Sequence, residues 1–418
     1  MLEPVLVAAQ DLASGAVTVT NRYDFLSLSH LALSWNVEVN GEVVQSGSLE
    51  LPQIQPGESR QLTVPYALPT VPAGAEVFLN LSFRLAASTI WAAAGHEVAW
   101  AQFKLPATEG RTIKPASWPL VCDEDAAELR ISGHDFALRF DKSHGRLEAW
   151  HYQGLALLEQ GPRLNFWRAP IDNDMHLAEK WREFGLHRLQ ERLLAFSWRQ
   201  AGEKVEVCAR VRLAPPILSW GYVCELTYTV HGSGDVLLEV KGEPEGELPP
   251  SLPRIGLALV LPEALDQVSW FGRGPGESYR DSKLANRFGL YSSSVAQLHT
   301  PYAYPQENGN RTDVSWVALN DLRGLGLFVE GTPSLNFSAH NYSQADLEQA
   351  KHTVDLSRRR QVFLNLDDQH HGLGSNSCGP GPLPQYELLP EKFSFKLRLK
   401  GFSAAALSPQ ALCGLAVD

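Results

Sequence analysis

Carboxyl-bearing residues in this chain lie in short motifs whose composition suits carbohydrate chemistry. Hydrolysis of a glycoside needs two carboxyl groups that face each other across the scissile bond, one as general acid and the other as nucleophile or base. Sequence alone does not show which carboxylates face each other, so the motifs permit such a site without defining it. The candidates are Asp172 and Asp174 in RAPIDND, Glu277 in GRGPGESY, Glu307 in PQENGNRTD, and Asp367 and Asp368 in LNLDDQHH.

Structural roles compete with catalytic ones at two of these motifs. Asp172 and Asp174 precede an apolar-periodic stretch, where carboxylates commonly accept free backbone N–H groups and cap a helix. The glycines of GRGPGE lack the Lys-Ser/Thr of a phosphate loop, so they favour a turn after a strand that ends at Trp270 and Phe271. Within that turn Arg273 and Glu277 are predicted to form an ion pair. Tyr279 is predicted to pack on the pair.

The cluster of Asp367, Asp368, His370 and His371 has side chains of the metal-ligand type. Adjacent residues of an extended strand point to opposite faces, which makes joint ligation by the two histidines awkward. Carbonyl and carboxylate sites for Mg²⁺ or Na⁺ leave no sequence trace. Metal binding by this chain therefore remains an alternative on the sequence.

The segment 372–382, GLGSNSCGPGP, is rich in residues that bring backbone and small polar groups close to a ligand. Asn376 and Ser377 are candidates to meet sugar hydroxyls. Cys378 has no clear activating base beside it, so a role in building the loop is favoured over nucleophilic catalysis. Tyr302 and Tyr304 offer ring faces for stacking on sugars, although tyrosines of this kind are commonly buried.

Composition narrows the class of protein. The chain has 418 residues and a formal net charge of −11, from 36 basic and 47 acidic side chains. Such a balance disfavours nucleic acid and anionic membranes as partners. Five scattered cysteines do not form a disulfide framework. The sequence shows neither a signal peptide nor an apolar stretch of membrane-spanning length. We therefore expect a cytoplasmic protein.

Hydrophobic periodicity predicts an all-β chain of two domains. Residues 1–106 alternate with period two, and Asn40-Gly41 has the composition of a two-residue hairpin turn. They are predicted to form a small β-sandwich. Residues 107–118 are a predicted linker, 119–402 a large antiparallel sandwich, and 403–418 an Ala- and Leu-rich tail. Strands are predicted at Glu128–Ile131, Phe136–Phe140, Lys204–Leu213, Tyr222–Val230, Val236–Val240 and Ile255–Leu261.

One stretch of the larger domain departs from the strand pattern. Between Asp174 and Leu194, the apolar residues Leu177, Trp181, Phe184, Leu189 and Leu193 recur every three to five positions. This spacing predicts an amphipathic helix over Asp174–Leu194.

Five motifs, in this order, resemble the C-terminal region of lactose-type β-galactosidases of glycoside hydrolase family 2, and residues 1–106 resemble the immunoglobulin-like domain that follows the catalytic barrel in that family. The resemblance covers nearly the whole chain. The motifs are LNFWRAPIDND (164–174), SWFGRGPGESYRDSKLANRFGLY (269–291), TPYAYPQENGNRTDVSW (300–316), FSAHNYSQADLEQAKHTVDL (337–356) and LNLDDQHHGLGSNSCGPGPLPQYEL (364–388).

The resemblance implies an immunoglobulin-like β-sandwich followed by a β-supersandwich like that of galactose mutarotases. In the family this second domain buttresses the barrel, shapes the mouth of the galactoside pocket and takes part in subunit contacts. The catalytic glutamates and the magnesium ligands belong to the barrel. Mg²⁺ and Na⁺ are thus expected for the full enzyme, with no cofactor and no catalytic residue in this chain. Its expected partners are a barrel-bearing chain or segment and a galactoside, in an oligomer.

The resemblance also bears on individual residues. Some family members carry a tryptophan at the position of Cys378, where it stacks on the sugar at the pocket entrance. Here the pocket-side loop is reduced to Asn376, Ser377 and Cys378, since a thiol offers little ring-face contact. A sugar-side or structural role is expected for residues of the other motifs. They are Asp172, Asn173, Asp174, Arg273, Glu277, Glu307 and Asn308.

Three functions remain in competition on the sequence. The favoured one is the C-terminal part or small subunit of a retaining β-galactosidase for lactose-type galactosides, inactive alone and belonging to lactose catabolism. The second is an independent mutarotase-like sugar epimerase or carbohydrate-binding module, for which His340, His352 and Glu307 are imaginable proton carriers. The third is a purely structural interaction domain. The immunoglobulin-like domain favours the first, because an independent epimerase would not need it.

Overall fold

The computed structural model describes residues 3–72, 74–106 and 114–417. The described chain divides into two compact units. The first contains the described residues up to 106, with the short segments Arg287–Leu290 and Gly414–Ala416. The second contains most of the rest, including Tyr291–Cys413. Of the predicted linker, 107–113 lie outside the described residues, and 114–118 have no regular secondary structure.

The first unit is a sandwich of two antiparallel sheets, one of three strands and one of four among the residues described. Their strand orders are β1-β2-β5 and β4-β3-β6-β7. Val17, Val37 and Leu81 are completely buried between them. Asn40 and Gly41 have φ values of 53° and 85° and join β3 to β4, which confirms the predicted hairpin. The strands are β1 (Val5–Asp11), β2 (Ala16–Asn21), β3 (Leu31–Val39), β4 (Glu42–Leu49), β5 (Ser59–Thr63), β6 (Val77–Leu85) and β7 (Glu97–Lys104).

Seventeen further strands follow β7 in the described part of the chain, and they form two sheets. The first five are β8 (Val121–Glu124), β9 (Glu128–Ser132), β10 (Phe136–Asp141), β11 (Arg146–Tyr152) and β12 (Leu155–Ala156). The others are β13 (Gln160–Asn165), β14 (Gln190–Ala201), β15 (Lys204–Ala214), β16 (Gly221–His231), β17 (Asp235–Glu245), β18 (Arg254–Pro262), β19 (Gln267–Gly274), β20 (Arg287–Ser294), β21 (Arg311–Asn320), β22 (Leu325–His340), β23 (Gln361–His370) and β24 (Phe393–Ser403).

A five-stranded sheet covers a twelve-stranded one in the described residues of this second unit. The small sheet runs β12-β11-β10-β9-β8, and the main path of the large one runs β13-β18-β23-β22-β24-β17-β16-β15-β14. Alternate side chains of both sheets meet in one core, where the rings of Phe140 and Tyr228 are 5.2 Å apart. The all-β prediction and the six named strands are confirmed, because each lies within an observed strand.

The predicted helix over Asp174–Leu194 is wrong in extent. A 3₁₀ turn covers Asp172–Asp174, the helix α1 covers only Leu177–Glu183, and β14 begins at Gln190. Gly185 has a φ of 70°, a conformation that commonly ends a helix. A bulge between Leu193 and Ala195 inserts one residue into β14. The apolar spacing thus runs across two structures, since Leu177 and Trp181 belong to α1 and Leu193 is a half-buried residue of β14.

The remaining helices are short. They are α2 (Val295–Leu298), α3 (Gln344–Gln349) and α4 (Pro409–Cys413), the last of which lies in the predicted tail. No helix in the described ranges is long and apolar enough to cross a membrane.

Candidate functional site

A buried ion pair fixes the segment that follows β13. The guanidinium of Arg168 makes a fork with the Asp174 carboxylate, with Nε–Oδ2 and Nη2–Oδ1 distances of 3.0 and 2.7 Å. Both side chains are buried, and Asp174 also accepts the backbone N–H of Ile171 at 3.1 Å. Arg168 donates through Nη1 to the carbonyl of His371 at 2.9 Å. The pair therefore ties the Asp172–Asp174 turn to the end of β23.

The loop 372–382 follows β23 and is hydrogen-bonded to the Asp172–Asp174 turn. Asn173 donates to the Gly374 carbonyl at 2.8 Å and accepts from the backbone N–H and hydroxyl of Ser377 at 3.1 and 2.7 Å. Within the loop, the N–H of Ser375 donates to the Pro380 carbonyl at 2.9 Å. Asn376 is half-buried, while Ser377 and Cys378 are exposed. The structure thus brings Asn173 and the predicted pocket-side residues together.

A cleft of about 600 Å³ opens beside this loop. Its walls come from the segments 170–182 and 304–305, and Glu348 and Ser377 complete the lining. Asp172 is exposed in it and is positioned by Gln306, whose Nε2 donates to the Asp172 carboxylate at 3.2 Å. The half-exposed Met175 and Tyr304 add apolar surface. Aromatic faces beside carboxylates and hydroxyls are the composition of a cleft that binds polar organic ligands such as sugars.

Arg182 and Glu348, which both line the cleft, form an ion pair that the sequence does not predict. Glu348 on α3 accepts from Arg182 on α1 at 2.9 Å and from the indole N–H of Trp167 at 2.9 Å. The Arg182 guanidinium lies 5.9 Å from the centre of the Trp167 ring. Glu348 belongs to a motif that resembles the family, which is the only signal that could have pointed to it. Arg182 has no such signal, because α3 lies more than 160 residues further along the chain.

Glu307 and Asp367 lie in a second, closed cluster. Arg254 on β18 pairs through Nη2 with Glu307 Oε1 and with Asp367 Oδ2, both at 3.1 Å, and all three side chains are buried. Nη2 also donates to His370 Nε2 at 2.5 Å. Because an arginine has only donors, His370 accepts through Nε2 and is neutral. Burial lowers the pKa of His370 well below its ordinary value.

Asp368 and His371, which lie beside this cluster in the sequence, also have hydrogen-bond partners within the protein. Burial raises the pKa of Asp367 to about 7, against the opposing effect of Arg254. His371 accepts the backbone N–H of Leu388 through Nδ1 at 3.0 Å, and Asp368 accepts from Gln369 at 3.1 Å. No group of three or more His, Cys, Asp or Glu side chains in the described ranges is arranged to hold a metal ion.

The predicted ion pair between Arg273 and Glu277 is wrong. Arg273 binds Asp313 on β21, with an Nε–Oδ2 distance of 2.8 Å. Glu277 accepts the hydroxyl of Tyr302, and it accepts the backbone N–H of Gly309 at 2.7 Å. Arg273 at the end of β19 and Glu277 in the following turn therefore contact different parts of the chain. The expectation that Tyr279 packs on the pair fails with it, since Tyr279 lies edge-on to His370 with the ring centres 5.6 Å apart.

Asn308 and the three imagined proton carriers are engaged separately. The side-chain Oδ1 of Asn308 accepts the N–H of Thr300 at 2.9 Å, and the backbone carbonyl of Asn308 accepts from His340 Nε2 at 2.9 Å. Burial lowers the pKa of His340 to about 4. His352 is exposed and lies 3.6 Å from Asp355, whereas Glu307 belongs to the Arg254 cluster. These three residues have different partners, so they do not form a proton-transfer pair for the epimerase alternative.

Both units of the chain are similar to parts of known β-galactosidases. The family model described as β-galactosidase small chain matches residues 132–399, and the model for β-galactosidase domain 4 matches 17–106. A β-galactosidase of Priestia megaterium is 33% identical over 378 residues, which cover 90% of this chain and 36% of that protein. A β-galactosidase of Vibrio vulnificus is 32% identical, with 95% and 39% covered.

The chain therefore spans less than two fifths of the length of these two relatives. Among solved structures, the galactose 1-epimerase of Lactobacillus acidophilus aligns over 69% of this chain and 99% of its own length, with 11% identity and a TM-score of 0.35.

Proposed function

Because the chain belongs to the β-galactosidase small-chain family, we propose that it is the C-terminal part or the small subunit of a retaining β-galactosidase acting on terminal β-D-galactosides. It contributes the loop 372–382 and the adjoining cleft to the substrate pocket. The catalytic carboxylates are carried by a barrel in the remainder of the enzyme. The observation that carries this role is the family match across the second unit, 132–399, in which both the loop and the cleft lie.

The environment of the buried carboxylates supports assigning the chemistry to another part of the enzyme. A general acid must come within hydrogen-bond reach of the glycosidic oxygen. Asp174, Glu307 and Asp367 are buried and ion-paired with arginines, so they cannot reach a ligand in the cleft. Asp367 has the near-neutral pKa that a general acid needs, but its side chain is completely enclosed.

The cleft supports a role in binding the sugar. Tyr304 offers a ring face, and Asp172 offers carboxylate oxygens to hydroxyl groups. Ser377 of the loop lines the same cleft. In the assembled enzyme this wall would bind carbohydrate at the pocket entrance, which fits a role in the breakdown of lactose-type galactosides.

The partners, ions and location follow from the same role. We assign Mg²⁺ and Na⁺ to the barrel-bearing part, because the resemblance to the family places the metal ligands there. The barrel-bearing chain or segment is the principal partner, and the full enzyme is an oligomer. All five cysteines are free thiols, which supports a reducing, cytoplasmic setting.

Purified alone, the chain is expected to give no hydrolysis of a chromogenic β-galactoside above the buffer rate, because we place the catalytic acid and nucleophile in the barrel. Mixed with a matched barrel-bearing partner, it is expected to restore turnover. Robust turnover by the isolated chain would refute the placement of the catalytic pair. Failure of the matched partner to bind or to become active would refute the role as a small chain.

A further inference from the structure

Gly374 is held by side chains from two separate segments of the chain. Its carbonyl accepts from Asn173 Nδ2 at 2.8 Å, and its N–H donates to Asp281 Oδ2 at 2.8 Å. Asn173 lies 201 residues before Gly374 in the sequence, and Asp281 lies 93 residues before it. Both backbone polar groups of a single loop residue are thus bound by side chains that the fold brings to it.

Gly374 is suited to this position for two reasons. Its φ of 60° lies in the left-handed region that favours glycine. A Cβ at this position would lie 2.6 Å from the backbone nitrogen of Pro382, on the returning arm of the loop. Gly374 therefore links Asn173 and Asp281, which bind its backbone, to the part of the loop that returns at Pro382.

The amide of Asn173 makes three of its four possible hydrogen bonds within the protein. Its Nδ2 donates to Gly374, while its Oδ1 accepts the N–H and the hydroxyl of Ser377. Such an amide has little capacity left for a sugar hydroxyl. The position of Asn173 next to the buried Asp174 fixes it in turn, because Asp174 is held by Arg168. On the other side, Arg280 next to Asp281 donates to the Gln385 carbonyl at 2.9 Å.

We infer that Asn173 and Asp281 are positioning residues, which hold the loop 372–382 from two sides and so set the place of Ser377, which lines the cleft, and of its neighbour Cys378. Neither residue needs to touch the substrate. The effect on the reaction rests on the proposed function, in which this loop borders the galactoside pocket. The holding of the loop rests only on the contacts described above.

Hydrogen–deuterium exchange of the full chain tests the holding directly. In Asn173→Ala the Ser377 N–H loses its acceptor, and we expect the Gly374 N–H, which Asp281 binds, to exchange about fivefold faster as well. Asp281→Ala should speed exchange at Ser377 in the same way. Asp281→Asn should restore protection, since an amide oxygen can still accept the Gly374 N–H.

Asn336→Ala is the matched control. Asn336 is another half-buried amide that donates to a backbone carbonyl, that of Asp368 at 3.2 Å, but it lies on the sheet. It should leave exchange in the loop unchanged. If each alanine variant changes only the amide that it binds directly, the two residues do not hold the loop together and the inference is wrong.

Kinetics of the enzyme reconstituted with its barrel-bearing partner test the consequence. Asn173→Ala and Asp281→Ala are expected to raise KM for a β-galactoside by roughly three- to tenfold while kcat stays within about twofold, because loop position affects binding rather than the chemical step. Asp281→Asn should return KM toward the wild-type value. An unchanged KM in a variant with a loosened loop overturns the positioning role. An inactive wild-type mixture instead contradicts the proposed function, and the exchange experiment then still decides whether the loop is held.

Discussion

Replacement of Arg254 by methionine is expected to lower the free energy of unfolding of the second unit by about 3–5 kcal/mol at pH 8. Arg254 is completely buried and is the cation that faces both Glu307 and Asp367 at 3.1 Å. Methionine fills a similar volume without charge, so two buried carboxyl groups lose their counter-charge. His370 also loses the donor to its Nε2.

The loss of stability in Arg254→Met should be smaller at acid pH. The direction of this pH dependence follows from the pKa of Asp367. The pKa of Asp367 is raised by burial to about 7 in the folded protein, whereas an unfolded aspartate has a pKa of about 3.9. Between these values the folded state binds more protons, so the contribution of Asp367 to stability is present at low pH and is lost as the pH rises through about 7. At pH 5 Asp367 is protonated, and its lost counter-charge matters less.

Native-state hydrogen exchange of β16 and β17 in increasing urea measures this unit separately from the first. Arg199→Met is the matched control, because Arg199 makes an exposed pair with Glu206 and should cost less than about 1 kcal/mol. As the pH rises from 5 to 8, the free energy of unfolding of Asp367→Asn should increase relative to that of wild type, because the variant lacks the carboxyl group that ionises in the core. A loss below 1 kcal/mol in Arg254→Met at pH 8 would show that the cluster is not a closed ionic network.

Trp181→Ala is expected to cost about 3–5 kcal/mol through the cavity that it leaves. Trp181 on α1 is completely buried, and its indole N–H donates to the Ser251 hydroxyl at 3.1 Å. Its ring packs edge-on against Trp167 and His371, with ring centres 6.3 and 5.8 Å apart. The substitution therefore removes the support beneath one wall of the cleft as well as core volume.

The same exchange measurement reports this loss. Trp118→Ala is the matched control within the unit, since Trp118 is 41% exposed and stacks on His134. We expect it to cost about 1 kcal/mol or less. Equal costs for the two tryptophans would contradict the account of α1 as the buried support of the cleft.

Local patterns predicted most of the fold. Strand alternation and the Asn40-Gly41 turn depend on neighbours in sequence, and the structure agrees with them. The helix prediction failed in extent for a physical reason, because Gly185, with a φ of 70°, follows the end of α1 and the chain then enters β14, where Leu193 continues the apolar spacing on a strand. The apolar spacing continues across the boundary between α1 and β14, so periodicity alone could not separate the helix from the strand.

The candidate site was predicted less well, because its contacts join distant segments. Arg273 was paired with its close neighbour Glu277, but the fold supplies Asp313 from another strand. Arg168, Arg254 and Asp281 were not singled out from the sequence, although each holds a predicted site residue or its loop. The family resemblance located the loop 372–382, and only the three-dimensional contacts show that Asn173 fixes it.

The central claim, that this loop borders the substrate pocket of the assembled enzyme, is tested most directly by the alkylation rate of Cys378. Cys378 is the exposed cysteine of the chain, whereas the other four are half-buried or buried. In the assembled, active enzyme, a non-hydrolysable galactoside at ten times its Kd is expected to slow maleimide labelling of Cys378 about tenfold. The isolated chain should show no protection under the same conditions. An equal labelling rate with and without the galactoside in the active assembly would contradict the claim.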